Sequence, residues 1–279
     1  MRLRLYHHHD GARVAYRETG TGPAIVLLHS LGLSYREWEP VVEALSARFR
    51  VVLPDLPLHG DSEDRPRHPY TPEWLTEVVA GFCQEAVGPR PLLAGHDIGA
   101  ELALRAVVEG RVSPARLVLM GTRLHRRDEF AGQRALWRAA CRAAALPGLD
   151  RLLSHGATAV FRPSFGERLS AQQADGARDL IRHAFSDVAG NGNRARSWAK
   201  FARRWPAGAQ RQLLDEYPRI GMPVLLLWAT EDRAHPLAAA QEALDLIPEA
   251  QLRTLDATGF LMAYDDPVGV ARELIAFCG

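Results

Sequence analysis

Pro91-Leu92-Leu93-Ala94-Gly95-His96-Asp97-Ile98-Gly99-Ala100 decides the fold. Four apolar residues, enough for a short buried strand, run into two glycines that flank a single aspartate. Apolar residues at helical spacing follow directly, from Ile98 to Glu109. A strand that turns into a helix within so few residues needs glycine on both sides of the turn, where side chains would collide. The residue between them is then strained and exposed at the sheet edge, here Asp97. The helix that begins beside it brings backbone N–H groups and a positive dipole end.

The chain repeats that alternation outward in both directions. Arg13–Thr19 alternates and is followed by the turn Gly20-Thr21-Gly22-Pro23; Ala24–Leu28 reads as a buried strand; Arg36–Ala47 has helical spacing. Arg50–Leu53 and Pro72–Val87 give the next strand and helix, and Arg116–Met120 a further strand. Beyond a long interval come strand Pro223–Trp228, helix Pro236–Leu246, strand Gln251–Leu255 and a last helix from Pro267. Strands separated by helices imply a parallel sheet with right-handed crossovers. We expect an α/β fold with an eight-stranded, mostly parallel sheet, its core formed by residues 1–122 and 217–279. Residues 123–216 read as helical without a convincing strand, and are expected to form an inserted cap over the sheet's C-terminal edge.

Composition narrows the function classes. The chain has 279 residues, 34 Lys+Arg against 33 Asp+Glu, so its net charge does not suit a nucleic-acid binder. Residues 123–211 carry 16 arginines and one lysine against seven acids, a net of +10, which leaves the remainder near −9. That asymmetry reads either as a basic entrance for an anionic substrate or as charge pairing between cap and core. The three cysteines, Cys83, Cys141 and Cys278, are widely spaced and fit a reduced, cytoplasmic protein. The apolar runs are strand-sized, so no membrane span is expected. His7-His8-His9 could be a metal site or a tag remnant, and reads best as the end of a first strand before an Asp-Gly turn. His-Glu-x-x-His, paired cysteines and Gly-x-Gly-x-x-Gly are all absent from the sequence, so neither metal nor cofactor is expected, and the partner is a small-molecule substrate.

Three further segments agree with the turn at Asp97, and together they resemble the α/β-hydrolase superfamily. Gly95–Gly99 matches its G-x-Nuc-x-G nucleophile elbow, with aspartate at the nucleophile. His29-Ser30-Leu31-Gly32 is similar to the segment that lends a backbone N–H to an oxyanion hole. The resemblance thus implies the amides of Leu31 and Ile98 as donors. Pro54–Ser62 resembles the family's P-D-x-x-G-x-G-x-S loop. Ala229-Thr230-Glu231-Asp232-Arg233-Ala234-His235-Pro236 resembles the acid loop, which implies Asp232 as the triad acid.

The Gly-His-Asp-Ile-Gly wording is similar to epoxide hydrolases and to haloalkane or haloalkanoate dehalogenases. There the carboxylate attacks a saturated carbon, and a histidine-activated water cleaves the resulting ester. The departures are specific. Halide-binding relatives have Trp after the nucleophile and Asn in the first loop, where Ile98 and Leu31 stand here; haloacetate relatives have Arg in place of Ile98. Residues 123–216 lack the tyrosines with which epoxide hydrolases protonate the opening ring, leaving Tyr217, His125, His155 or His183 as conceivable substitutes. The triad histidine's position, in Asp256-Ala257-Thr258-Gly259-Phe260, is held by Gly259. A histidine restored there would stand beside Asp232. As the chain is, His235, three residues past Asp232, is the candidate replacement base. His96 is expected to turn away into the sheet.

Three readings stay open: a hydrolase with a relocated base; a non-hydrolytic enzyme, lyase- or cyclase-like, using Asp97 as general base; and a catalytically silent binding protein. The spacing of Asp97 and Asp232 discriminates between them: if the two carboxylates touch, one should be protonated at neutral pH.

Overall fold

The computed structural model describes residues 1–125, 169–188, 192–205 and 210–279. Eight strands form one sheet: β1 (Arg2–His7), β2 (Arg13–Thr19), β3 (Ala24–Leu28), β4 (Arg50–Pro54), β5 (Leu92–His96), β6 (Arg116–Met120), β7 (Val224–Ala229) and β8 (Ala250–Leu255). Their order is β1-β2-β4-β3-β5-β6-β7-β8. β1 and β2 pair antiparallel, as do β2 and β4, and every later pair is parallel.

Burial explains which strands sit where. β5 and β7 are buried at every position, so both faces are covered and the strands read as unbroken apolar runs. The edges are different: β1 is exposed at five of its six positions and β8 alternates, with Arg2, Arg4 and Arg253 among their residues. Charged side chains along an edge discourage pairing with a second sheet.

Helices cover both faces. α1 (Glu39–Ser46) and α9 (Pro267–Cys278) lie on one, α2 (Pro72–Phe82) and α3 (Ile98–Val108) on the other, and α7 (Leu237–Leu246) joins the second. Their starts are written locally. Thr71 accepts a hydrogen bond from the Trp74 amide before Pro72, and Asp266 accepts one from the Gly269 amide before Pro267. The helical reading of Pro72–Val87 resolves into α2 and a wider π-turn over Cys83–Val87. A short helix, α8 (Met262–Asp265), has no counterpart in the sequence periodicity. Cys83 and Cys278 are free and buried; Cys141 lies outside the described residues.

The described residues of the insertion between β6 and β7 include three helices, α4 (Asp175–Val188), α5 (Gly192–Arg204) and α6 (Arg211–Leu214). α4 packs Ala177, Leu180 and Ile181 against Leu33 and Leu261, which follow β3 and β8. α5 lies on the loop after β4: Arg194 pairs with Asp64 at 3.0 Å, Lys200 donates to the Pro66 carbonyl at 3.0 Å, and Arg204 to that of Pro69 at 3.1 Å. For these residues the basic character serves contact with the core. Phe201 meets Trp198 edge-on and Trp205 at a tilt, and all three pack on the main core, while Phe130, Trp137, Phe161 and Phe165 fall outside the described residues.

The two glycines at the turn are needed for contact. A Cβ on Gly99 would stand 2.5 Å from the Leu28 carbonyl oxygen, and one on Gly95 2.5 Å from the Ala100 amide nitrogen. Both obstacles are backbone and cannot swing aside. Gly99→Ala should therefore cost about 1–3 kcal/mol through forced separation of β3 and α3, lowering the thermal midpoint by several degrees. A melt matching the wild type within a degree would contradict this account.

Candidate functional site

The C-terminal ends of β3, β5 and β7 meet at one edge of the sheet, where parallel α/β sheets bind ligands. β5 delivers Asp97, whose backbone sits at φ 49° and ψ −114°, a region non-glycine residues seldom occupy. The strain is held from both sides: the Asp97 amide donates to the Met120 and Gly121 carbonyls at 3.1 and 3.0 Å, and its carbonyl accepts from the Glu101 amide at 3.0 Å. The side chain is thereby pushed up out of the sheet edge and remains one-fifth exposed.

β7 delivers the other two groups on one loop. His235 Nδ1 is 2.8 Å from Asp232 Oδ2, and its Nε2 is 3.2 Å from Asp97 Oδ1. The imidazole thus separates the carboxylates and pairs with both. Its placement is over-determined. Trp228 Nε1 donates to the His235 carbonyl at 3.0 Å, the Ala234 amide donates to Asp232 Oδ1 at 2.8 Å, and Phe260 stacks on the ring at 5.7 Å and 25°. Gly121 makes room for the pair: a Cβ there would lie 3.2 Å from both Asp232 Oδ2 and His235 Nδ1.

Charge follows from this geometry. Burial alone would depress the His235 pKa, but hydrogen bonds from its ring to Asp232 and Asp97, and their charges, push it up to about 9. Burial would likewise raise both acids. For Asp97 the ring of His235, the neighbouring His96 and the Leu31 amide outweigh it and hold the carboxyl well below the usual range. Asp232 is lowered in the same way by His235. The resting site is an imidazolium between two carboxylates, so neither acid needs the proton that direct contact would have forced on one of them.

Of the two amides expected to face the carboxylate, that of Leu31 reaches Asp97 Oδ2 at 3.0 Å. Ile98 is the first residue of α3, its side chain buried. Gly259, where the resemblance places a histidine, is closed off. Its amide donates to Asp265 Oδ2 at 2.8 Å, and a Cβ would lie 3.0 Å from the Ala171 nitrogen and the Leu169 oxygen. A side chain restored there would press on the backbone of Leu169 and Ala171, which would have to give by a few tenths of an ångström.

His96 Nδ1 is hydrogen-bonded to buried Glu37, whose other oxygen accepts from the Ser30 amide and hydroxyl at 2.7 and 2.9 Å. Contrary to expectation the ring stays beside the site, tilted against Phe260 at 4.7 Å and with a ring nitrogen within 4.8 Å of ligand atoms of both Asp232 and His235. Tyr217 is fully buried, donating to the Leu124 carbonyl at 2.9 Å and meeting His125 Nδ1 at 3.0 Å. His155 lies outside the described residues. Sequence reasoning missed three participants. Phe260 stands in the sequence only as a neighbour of Gly259, and Glu37 carries no local signal. Glu101, one turn into α3, is pushed up to about 7, first by burial and then by the charge of Asp97.

Such a sheet, with a strained acidic turn after β5 and an acid loop after β7, defines an α/β-hydrolase fold. The chain belongs to the alpha/beta hydrolase family, whose model matches residues 25–273. It is 28% identical over 245 residues to the magnesium-chelatase 30 kDa subunit of Rhodobacter capsulatus, covering 84% of this chain and 80% of that one. It is also 28% identical to the pyrrolizixenacetamide deacetylase of Xenorhabdus hominickii, over 92% of this chain and 91% of the relative. Among solved structures, an alpha/beta hydrolase fold protein from Burkholderia ambifaria superposes with a TM-score of 0.80 at 22% identity, over 98% of this chain and 97% of that one.

The raised pKa has a consequence for stability. A group whose folded pKa of about 9 exceeds its ordinary value of 6.5 stabilises the fold fully below the lower value, and that contribution is lost as pH rises through the higher one. The urea midpoint of the wild type should fall between about pH 7 and 9.5 more steeply than that of His235→Gln. Parallel pH profiles for the two proteins would refute the imidazolium.

Proposed function

We propose that this chain is a hydrolase in which Asp97 forms a covalent ester with a small organic electrophile and His235 is the base that clears it. The supporting observation is His235 itself, held between Asp97 and Asp232 by both ring nitrogens. In this reading the acid loop supplies acid and base together, which accounts for a chain that carries glycine at position 259.

The chemistry divides into two steps. Asp97 is ionised and one-fifth exposed, so it attacks an electrophilic carbon without a base. A C–O bond forms, and the leaving oxygen or halide takes the electron pair of the bond that breaks. Forming the ester removes one of the two negative charges beside His235. Unit charges 4 Å apart interact by about 4 kcal/mol at an effective dielectric of ~20, so losing one of them lets the imidazolium give its extra proton to the alkoxide of an opened epoxide, or to solvent where a halide has left. It can then accept a proton from water as that water attacks the ester carbonyl. The Leu31 and Ile98 amides are the proposed donors to the resulting oxyanion. Collapse expels the alcohol and returns Asp97 as a carboxylate.

Neither Leu31 nor Ile98 has a side-chain donor for a halide, so an epoxide, whose opened oxygen can take the His235 proton, suits the site better than a haloalkane. Residues 123–216 act as the cap in this reading, with residues 1–122 and 217–279 as the core. The way α4 and α5 pack on the loops after β3, β4 and β8 supports that division. The hydrolytic class is also consistent with a relative named as a deacetylase at 28% identity.

The two steps can be separated by mutation. With styrene oxide or a similar reactive epoxide, His235→Gln should accumulate a mass increase equal to one ring-opened substrate, mapped to Asp97. The wild type should turn over faster by the ~10²–10⁴-fold that general-base help supplies. Asp97→Asn should form no adduct. If an electrophile panel gives neither adduct in His235→Gln nor turnover in the wild type, the covalent reading falls, and the general-base or binding readings replace it.

A further inference from the structure

On the outermost strand of the sheet, the residues that follow β1 stand beside α2. There one ligand atom from each of His8, His9 and Glu77 lies within 4.8 Å of the other two. His9 Nε2 stands 3.8 Å from Glu77 Oε1, and the His8 and His9 rings are 4.0 Å apart between centroids. His8 is the fixed member: it is buried, and its Nδ1 is 2.9 Å from Asp10 Oδ1. Asp10 is itself held by the Ala12 amide at 2.9 Å and by Trp74 Nε1 at 2.6 Å. A carboxylate so anchored takes the Nδ1 proton of His8 as its hydrogen-bond donor. That selects the tautomer whose Nε2 keeps its lone pair, the arrangement by which a carboxylate orients a metal-binding histidine.

We propose that His8, His9 and Glu77 bind a divalent transition cation, with Zn²⁺ the best fit, and that Asp10 orients the site. Two imidazoles and a carboxylate suit zinc, leaving the fourth tetrahedral position to water. Ligand bonds of about 2.0–2.2 Å require donors roughly 3.3 Å apart, closer than they stand. The side chains that must move are the free ones, His9 and Glu77 being 68% and 45% exposed, while that of His8 is 2% exposed and stays. The bound ion would tie the end of β1 to α2, a distant segment of the sequence.

The other group of metal-ligating side chains among the described residues, His96, Asp232 and His235, belongs to the site at Asp97. The experiment separates the two. Full-length protein without an affinity tag is stripped with a chelator and titrated with ZnCl₂ by calorimetry, and its thermal midpoint is followed alongside. One zinc per chain is expected, with a rise in melting temperature. His9→Ala and Glu77→Ala, both at exposed positions, should each weaken binding by at least ~10-fold and remove most of the rise. His235→Ala should bind zinc as the wild type does. Absence of saturable one-to-one binding, affinity unchanged in both His9→Ala and Glu77→Ala, or binding lost in His235→Ala would each overturn the proposal.

Discussion

An imidazolium wedged between two carboxylates is the constraint on which the site depends. Asp97 and Asp232 come from different strand ends, and without His235 their like charges would meet with no compensation. With it, both acids are held ionised and the imidazole stays charged, each for the reason that fixes the others. The surrounding structure serves that triplet: Gly121 leaves room for it, Trp228 pins the backbone of His235, and Phe260 sets the ring plane. Chemical change at any member alters the protonation of the other two, and the proposed mechanism rests on that coupling.

The same constraint accounts for Gly259. One imidazole, that of His235, already stands between the carboxylates. In this chain it arrives from β7, three residues past Asp232, and the vacated position is taken up by close contact with Leu169 and Ala171 of the insertion and by the hydrogen bond to Asp265.

Much of the fold is legible in the sequence because its signals are local. Ala24–Leu28 and Arg116–Met120 have the same limits in sequence and structure, since a buried parallel strand is a short apolar run with polar ends. The turn at Asp97 is legible because a polar residue between two glycines, with an apolar run before it and helical spacing after it, fits little but a tight strand-to-helix turn. Asp232 is found by its place after β7. His235 is only one candidate among several, because the i+3 spacing is compatible with the ring facing solvent, and what turns it inward is contact with residues 121, 228 and 260. Glu37 beneath His96, and Glu77 beside His8 and His9, are invisible for the same reason: each partner is remote in sequence, and no spacing pattern encodes a contact at that range.

The account stands or falls on the charge of His235, and the direct measurement is a pH titration of its imidazole nitrogens by NMR, on ¹⁵N-histidine protein. The expected result is a doubly protonated ring at neutral pH with a midpoint of about 9, falling markedly in Asp97→Asn, where one carboxylate charge is removed. A midpoint at or below the ordinary 6.5, or one that does not move in Asp97→Asn, would show that the ring is not the charged link between the two acids.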